Sequence, residues 1–393
     1  MSDAQKLNLH VYPSPIVNES RIMRQTSAVA ESGLFDAIEI CGTHATGLPE
    51  EQRLDATRLI RRVGAPTERP RSVLHRVFGQ IRWSIAAYRA YARRPLSVVN
   101  AHSVAVLPVC WLLARKTDAR LIYDTHELET QTSTSHGVQG ALFRLIERLL
   151  IRRTDAVFVV NDEIAQWYDA AYPGITATSI VNSPSQSEHG RAHDLRAAAD
   201  IPPEARLYVH VGNLAHARSI PDLVAVFTQR THDHLVFLGA GPLEDVVKDA
   251  AASRSNIHWH PPVDSANVVP TLRSADVGIC TIEPTCLSYQ LSLPNKAIEY
   301  TAAGVPFIFN DLPAVRRLLP AELESFQIDT VSTDLPALMD KIDENALARA
   351  REALTLAEIP RWDTESARMI AKYEELLDGP AREQANDDRS MDA

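Results

Sequence analysis

The chain has 393 residues, of which 45% are apolar and 23% charged, and its net charge is −10. At about 100–200 residues per domain, this length asks for two or three domains, each able to bury its own core. The composition excludes a wholly disordered chain, a collagen-like repeat and a membrane-spanning bundle, and so acidic a chain is a poor general binder of nucleic acid.

Short β-branched runs alternate with helical patterns from the start. Strands are expected at Leu7–Tyr12, Asp36–Cys41, Ser97–Ala101, Arg120–Tyr123, Asp155–Val160 and Thr178–Asn182. Helices are expected between them, at Ser20–Ser32, Val73–Arg93, Val104–Arg115, Val138–Arg152 and Asp162–Ala171. The strands are nearly unbroken apolar runs, as when helices cover both faces of a sheet, and the alternation implies a parallel, doubly wound α/β sheet. The opening MSDAQKLNLHVY has no signal-peptide pattern, and Cys41, Cys110, Cys280 and Cys286 form no C-x-x-C pair. Reduced thiols and a cytoplasmic location are expected.

Charge is uneven along the chain. Residues 1–195 carry a net +2 and residues 196–393 a net −12. Residues 52–94 hold 11 Arg against Asp55 and Glu68. Within them Leu74, Val77, Phe78, Ile81, Ile85 and Tyr88 recur at helical spacing, with Arg76, Arg82, Arg89 and Arg93 on other faces. This pattern reads either as a surface helix packed on the sheet or as a peripheral contact with anionic membrane.

The alternation stops after Asn182 in the polar stretch SPSQSEHGRAHD, a linker signal, and then resumes. Strands follow at Leu207–Val211, Leu235–Leu238, Ile257–Trp259, Val277–Thr281 and Pro306–Asn310. Helices fall near Ile220–Thr228, Leu243–Ala252, Ala266–Ser274, Asn295–Ala303, Ala314–Leu319, Leu335–Ala357 with breaks, and Thr364–Leu377. The expected organisation is one α/β domain over 1–195, a second over 196–360, a helix at 361–378 returning to the first, and a disordered tail at 379–393.

Ligands of parallel sheets gather at the carboxyl ends of the strands. One strand runs into Gly212, Asn213 and, six residues past the glycine, Arg218 at a helix start, where backbone N–H groups and a guanidinium suit a phosphate. Another ends in Gly239-Ala240-Gly241-Pro242, which is not a complete G-x-G-x-x-G and so supports no nicotinamide fingerprint. The segment Ser292-Leu293-Pro294-Asn295-Lys296 opens a helix in which Glu299 lies one turn beyond Lys296. A cation at a helix mouth is disfavoured by the dipole unless an anion sits there, so Lys296 suits a diphosphate and Glu299 ribose hydroxyls. In the first half, Asn100-Ala101-His102 and Tyr123-Asp124-Thr125-His126-Glu127 end neighbouring strands. Their spacing is no zinc signature.

With these residues in hand, the chain resembles the GT-B glycosyltransferases, in particular bacterial enzymes similar to family 4. The segments VVNAHS, LIYDTHELE, YVHVGNLAHARSIPDLVAVF, LVFLGAGPLEDVV and SLPNKAIEYTAAGVPFI carry the resemblance in the family's order. It implies two Rossmann-like domains facing across a cleft, the second holding a nucleotide-diphosphate sugar and the first a glycan or lipid-linked acceptor. It implies donor contacts from Gly212, Asn213, Arg218, Gly241, Ser292, Asn295, Lys296 and Glu299. It places His102 near the donor sugar and His126 on the acceptor side, with Asp124 or Glu127 as base if the reaction inverts. No bound metal or other cofactor is expected, and polysaccharide biosynthesis at the inner face of a membrane is the expected setting. Two departures stand out. Leu291 occupies the place of the usual second glutamate, and Asn213 that of the usual arginine. Competing readings are a sugar-nucleotide 2-epimerase of the same fold and a non-catalytic nucleotide-sugar-binding subunit.

Overall fold

The structure is a computed structural model, and it describes residues 6–17, 19–66, 73–133, 135, 137–184 and 190–379. The chain divides into two compact units, 1–180 with 366–393, and 181–365. The expected tail lies outside the described residues apart from Gly379.

The first unit runs β1 (Leu7–Val11), α1 (Ser20–Ser32), β2 (Ala37–Thr43), β3 (Glu51–Arg53), β4 (Arg58–Val63), α2 (Val73–Tyr91), β5 (Leu96–Ala101), α3 (Leu107–Thr117), β6 (Arg120–Asp124), α4 (Gly137–Leu150), β7 (Ala156–Val159), α5 (Asp162–Ala171) and β8 (Ala177–Ser179). The sheet order is β3-β4-β2-β1-β5-β6-β7-β8, parallel except for β3 against β4. β1 and β7 are buried at every position, as both-face coverage demands. Local chemistry sets the helix ends. Gly33 closes α1 in the left-handed region, and the Asn161 side chain accepts from the Ile164 N–H to open α5.

The β3–β4 pair was not expected. Its sequence, RLIRRV in β4, hides a strand behind three arginines. Arg62 is nonetheless buried, donating to the carbonyls of Pro15, Pro49 and Ile16 and to Gln52 Oε1.

The second unit runs α6 (Leu195–Ala198), β9 (Arg206–Val211), α7 (Ile220–Gln229), β10 (Asp233–Leu238), α8 (Glu244–Ser253), β11 (Ile257–His260), α9 (Ser265–Leu272), β12 (Val277–Cys280), α10 (Leu287–Gln290), α11 (Asn295–Ala303), β13 (Phe307–Phe309), α12 (Pro313–Leu318), α13 (Val331–Lys341) and α14 (Glu344–Leu356). Its all-parallel sheet has the order β11-β10-β9-β12-β13, so the strand order reverses between β9 and β12. Such a reversal opens a crevice at the strand carboxyl ends. The last helix, α15 (Trp362–Asp378), enters the first unit at Ser366, where Tyr373 donates to Asn100 Oδ1 and Arg120 bonds the Leu376 carbonyl.

The division at 180/181 differs from the expected 195. The end of the polar stretch already belongs to the second unit: the N–H groups of Arg191, His193 and Leu195 bond Asn267, Thr271 and Ser274. No helix of the described residues is long and apolar enough to cross a membrane.

Candidate functional site

In the second unit, the loops after β9 and β10 lie against each other at the strand-order reversal. Gly212 has φ +103°, which an L side chain rarely adopts. Gly241 is small for a different reason: a Cβ there would stand 2.5 Å from Asn213 Oδ1 and 2.6 Å from the Leu214 carbonyl. Gly241 therefore lets two loops close on one another.

Arg218 sits between Ala217 and Ser219, both with positive φ, at 59° and 53°. Two non-glycine residues in that region store about 1–3 kcal/mol each, which surrounding structure must hold. The segment after β12 does so: Glu283 N–H bonds the Ala217 carbonyl, Thr281 Oγ1 bonds the Arg218 carbonyl, and Ser219 donates to Glu283 Oε1. The Arg218 guanidinium lies over the Tyr289 ring at 4.8 Å.

Lys296 occupies the first turn of α11, whose ends are set by Pro294 and by Gly304 in the left-handed region. Its side chain does not lie open at the helix mouth. It is 8% exposed, and Nζ is 3.0 Å from Nε2 of the fully buried His210 on β9. Burial pushes Lys296 down to about 8; the Arg218 charge adds to this and the Glu299 charge opposes it. Cys280, raised by burial to about 12, stays neutral. The cluster thus sets two cations against one another at a strand carboxyl end, and His210 Nδ1 has no hydrogen-bond partner. Glu299 is half-buried one turn beyond, Asn295 is exposed, and Ser292 Oγ is spent on the Tyr289 carbonyl at 2.8 Å.

In the first unit, β1 beside β5 and β5 beside β6 bring together three histidines and an aspartate. His10 Nδ1 lies 2.8 Å from His102 Nε2, and His102 Nδ1 lies 3.1 Å from both His126 Nε2 and Asp124 Oδ2. Asp124 is buried and receives Arg21 through Nε and Nη2 (2.6 Å) and Gln25 at 2.8 Å. Burial opposes its ionisation, but Arg21 and His102 outweigh that and hold the carboxyl well below the usual range. Burial pushes His126 down to about 3 against the pull of Asp124, so it is neutral. Protons at His102 Nδ1 and His10 Nδ1 satisfy both contacts and leave the unpartnered His10 Nε2 bare.

His102, Asp124 and His126 are close enough to ligate a metal ion. The donor set fits poorly, because a cation there would compete with Arg21 and Gln25 for both Asp124 oxygens. The same engagement leaves Asp124 poorly placed to take a proton as general base. Glu127 is exposed. Glu129, which the sequence reading passed over, is better suited: burial raises it to about 8, Glu127 adds to this, and the hydrogen bond from Ser103 Oγ at 2.6 Å opposes it.

A cavity of about 820 Å³ lies beyond the ends of β1, β2 and β4, with Trp83, Arg82 and Arg89 of α2 on one wall and Pro13, Pro15 and Thr43 on the other. The buried stripe of α2 is Trp83, Ala87 and Tyr91, while Val77, Phe78, Ile81 and Ile85 face out. The basic excess of 52–94 is also smaller than the count suggests. Arg58 pairs with Asp55, Arg61 with Glu39 and Glu51, and Arg94 with Glu39. The side chains of Leu74 and Arg76 lie outside the described residues.

The structure thus brings Gly212, Arg218 and Lys296 to one strand-order reversal, and His102, Asp124 and His126 into one network. His210, Cys280, Tyr289 and Glu283 were missed. Only His210 carried a sequence signal, as an imidazole inside the otherwise apolar run LYVHV.

Residues 19–182 match the glycosyl transferase 4-like domain, and residues 205–354 match the glycosyl transferases group 1 domain. No curated protein sequence matches the chain. Among solved structures, the sucrose-phosphate synthase of Thermosynechococcus elongatus is similar over 95% of this chain and 99% of its own, at 16% identity and a TM-score of 0.76. Anabaena HepE in complex with UDP-glucose is similar over 94% and 100%, at 11% identity and 0.66. The catalytic domain of starch synthase IV from Arabidopsis thaliana, bound to ADP and acarbose, is similar over 95% and 100%, at 12% identity and 0.66. With its two Rossmann-like units and both domain matches in chain order, the protein belongs to the glycosyltransferases of the 4-like and group 1 type and has the GT-B fold.

Proposed function

We propose that the enzyme moves a hexose from a nucleotide-diphosphate sugar to a glycan or lipid-linked acceptor in cell-surface polysaccharide biosynthesis. The observation that carries the donor half is the convergence of Arg218 and Lys296 at the β9/β12 reversal. A diphosphate there neutralises two mutually repelling cations in a partly dry site, and Glu299 on the same helix takes the ribose. As the sugar–oxygen bond breaks, the electron pair leaves with the diphosphate. Arg218, Lys296 and the α7 and α11 N-termini stabilise that charge. These groups supply the positive charge from the chain itself, so no bound metal is invoked. UDP-glucose in HepE and ADP in starch synthase IV support a nucleotide diphosphate as ligand.

The acceptor half rests on the first-unit cavity. Its indole and arginine walls suit a sugar ring and an anionic group. Glu129 is the carboxylate suited to take the acceptor proton if the reaction inverts. The arginine-rich segment 52–94 would turn the first unit toward the inner surface of a plasma membrane, where a lipid-linked acceptor resides.

The test is a screen of UDP-, GDP- and ADP-sugars by thermal stabilisation, followed by nucleotide release with and without acceptors. A donor at a hundredfold above its Kd adds about 2.7 kcal/mol of stability. Release of nucleotide that requires an acceptor supports transfer. Isomerisation of the sugar without release favours an epimerase, and binding without turnover favours a binding subunit.

A further inference from the structure

Helix α4 is apolar on two opposite sides. One side, with Phe143, Ile146 and Leu150, is half-buried toward the sheet, and Glu147 there is fully buried beneath the hydroxyls of Tyr123, Tyr168 and Tyr172. The opposite side carries Val138, Leu142, Leu145 and Leu149, spaced 4, 3 and 4 residues apart and 88%, 46%, 52% and 61% exposed. At about 100° per residue these four fall within an arc of about 60°, centred about 170° from Glu147. A helix apolar all round is normally covered all round. Among the described residues nothing covers this side.

The stripe does not stand alone. Helix α3 packs against both α2 and α4, so the three form one layer on the sheet. Of the twelve large apolar side chains exposed among the described residues, nine lie on these three helices. Among the described side chains, the cations on the layer away from the cavity are Arg115 and Lys116 of α3 and Arg144 and Arg148 of α4, all exposed. Glu147 is the one acid within the three helices, and it is turned inward. This holds in a chain whose net charge is −10.

We propose that the outer face of α2, α3 and α4 docks on an anionic lipid bilayer, with the α4 stripe inserted among the acyl chains and the surrounding arginines on the headgroups. An apolar stripe rimmed by cations matches an interfacial helix. A second copy of the chain fits worse, because a two-fold contact through this face would set arginine against arginine with no acid between them. The inference deepens the membrane-side reading above and rests on it, but its central element, α4, lies outside the basic segment 52–94.

The test uses the full chain with vesicles of phosphatidylcholine alone and with 30% phosphatidylglycerol. Wild-type protein should sediment with the anionic vesicles, less so as salt rises, and not with the neutral ones. Leu142→Gln/Leu145→Gln/Leu149→Gln should lower the partition coefficient at least tenfold. Arg144→Gln/Arg148→Gln should lower it about fivefold for each arginine. A control, Val246→Gln/Leu356→Gln, removes exposed apolar side chains of the second unit and should bind as wild type. Circular dichroism and donor binding, read on the same preparations, should be unchanged in every variant. Equal binding of the α4 variant and wild type would overturn the proposal. So would equal binding to neutral vesicles, or a solution dimer that the α4 variant disperses. Loss of donor binding in wild type with vesicle docking intact would instead count against the donor-site reading.

Discussion

Replacing Lys296 with Met tests whether the donor site is an anion site kept short of its anion. Burial holds Lys296 at about 8, against 10.5 for an ordinary lysine. Because the folded pKa is the lower one, the unfolded chain binds the extra proton between those values. The folded state is therefore penalised below pH 8 and recovers as the pH climbs toward 10.5. At about 1.4 kcal/mol per unit the penalty is about 3 kcal/mol at pH 7, shrinking by about 2 kcal/mol by pH 9.5. Met preserves the volume and removes the charge, but it strands His210 Nε2, which takes back about 1–3 kcal/mol. Net stability at pH 7 then changes little, and the slope with pH is the sharper readout. In urea titrations, the wild type should gain about 2 kcal/mol on the variant between pH 7 and 9.5. Donor binding runs the other way. A diphosphate raises the Lys296 pKa, so affinity should fall about twentyfold from pH 7.5 to 9.5 in the wild type and lack that slope in the variant. Parallel stability profiles, or the same pH dependence of binding in both proteins, would refute the reasoning.

Glu299→Gln keeps the shape and removes one charge-assisted hydrogen bond to ribose, so donor affinity should drop about ten- to a hundredfold by calorimetry, at about 1.5–3 kcal/mol; unchanged affinity would remove Glu299 from the site. Asp124→Asn leaves Arg21 buried without its counter-ion and should destabilise the first unit by about 3–5 kcal/mol in chemical denaturation, with a change below about 1 kcal/mol contradicting the assignment. Glu129 must lose its proton to act as a base, so kcat should rise as the pH passes about 8, and Glu129→Gln should abolish that rise and lower kcat about 10²–10⁴-fold; a variant that keeps the wild-type profile would leave the proton to another group.

Periodicity made most of the fold legible. Helices α5 and α11 fall on their expected residues, Asp162–Ala171 and Asn295–Ala303, because a cap or a glycine marks their ends in the sequence itself. Strand β4 was illegible for the opposite reason. Its arginines read as solvent-facing, and only the fold reveals that Glu39, Glu51 and a ring of backbone carbonyls receive them. The same blindness inflated the basic segment, since Glu39 lies thirteen residues before its start and yet pairs with two of its arginines. In the site, Lys296 and Arg218 could be found from their places at helix starts. That Lys296 points inward to His210 could not, because the pairing spans 86 residues and depends on strand order. Helix α4 was expected at Val138–Arg152 only as a helix, and its two apolar sides separate once what covers each is seen.

The two units bury charge in different ways, and the difference bears on what each can bind. In the first, Arg21 and Asp124 cancel, Gln25 and His102 complete the hydrogen bonds, and His126 stays neutral. Nothing in that network calls for an incoming ion, so its work is to fix the His102 and His126 rings and the loop that carries Glu129. In the second, Arg218 and Lys296 raise each other's energy, Cys280 contributes no charge, and Glu299 is the one carboxylate among the groups that set the Lys296 pKa. Two strained residues hold Arg218 in that arrangement rather than letting it swing away. A protein selected for stability alone would replace Lys296 with an apolar side chain, since burying an imperfectly compensated charge is unfavourable. Its retention beside Arg218 makes sense if an anion completes the site during turnover. The destabilisation of the empty site then becomes part of the affinity for the leaving diphosphate.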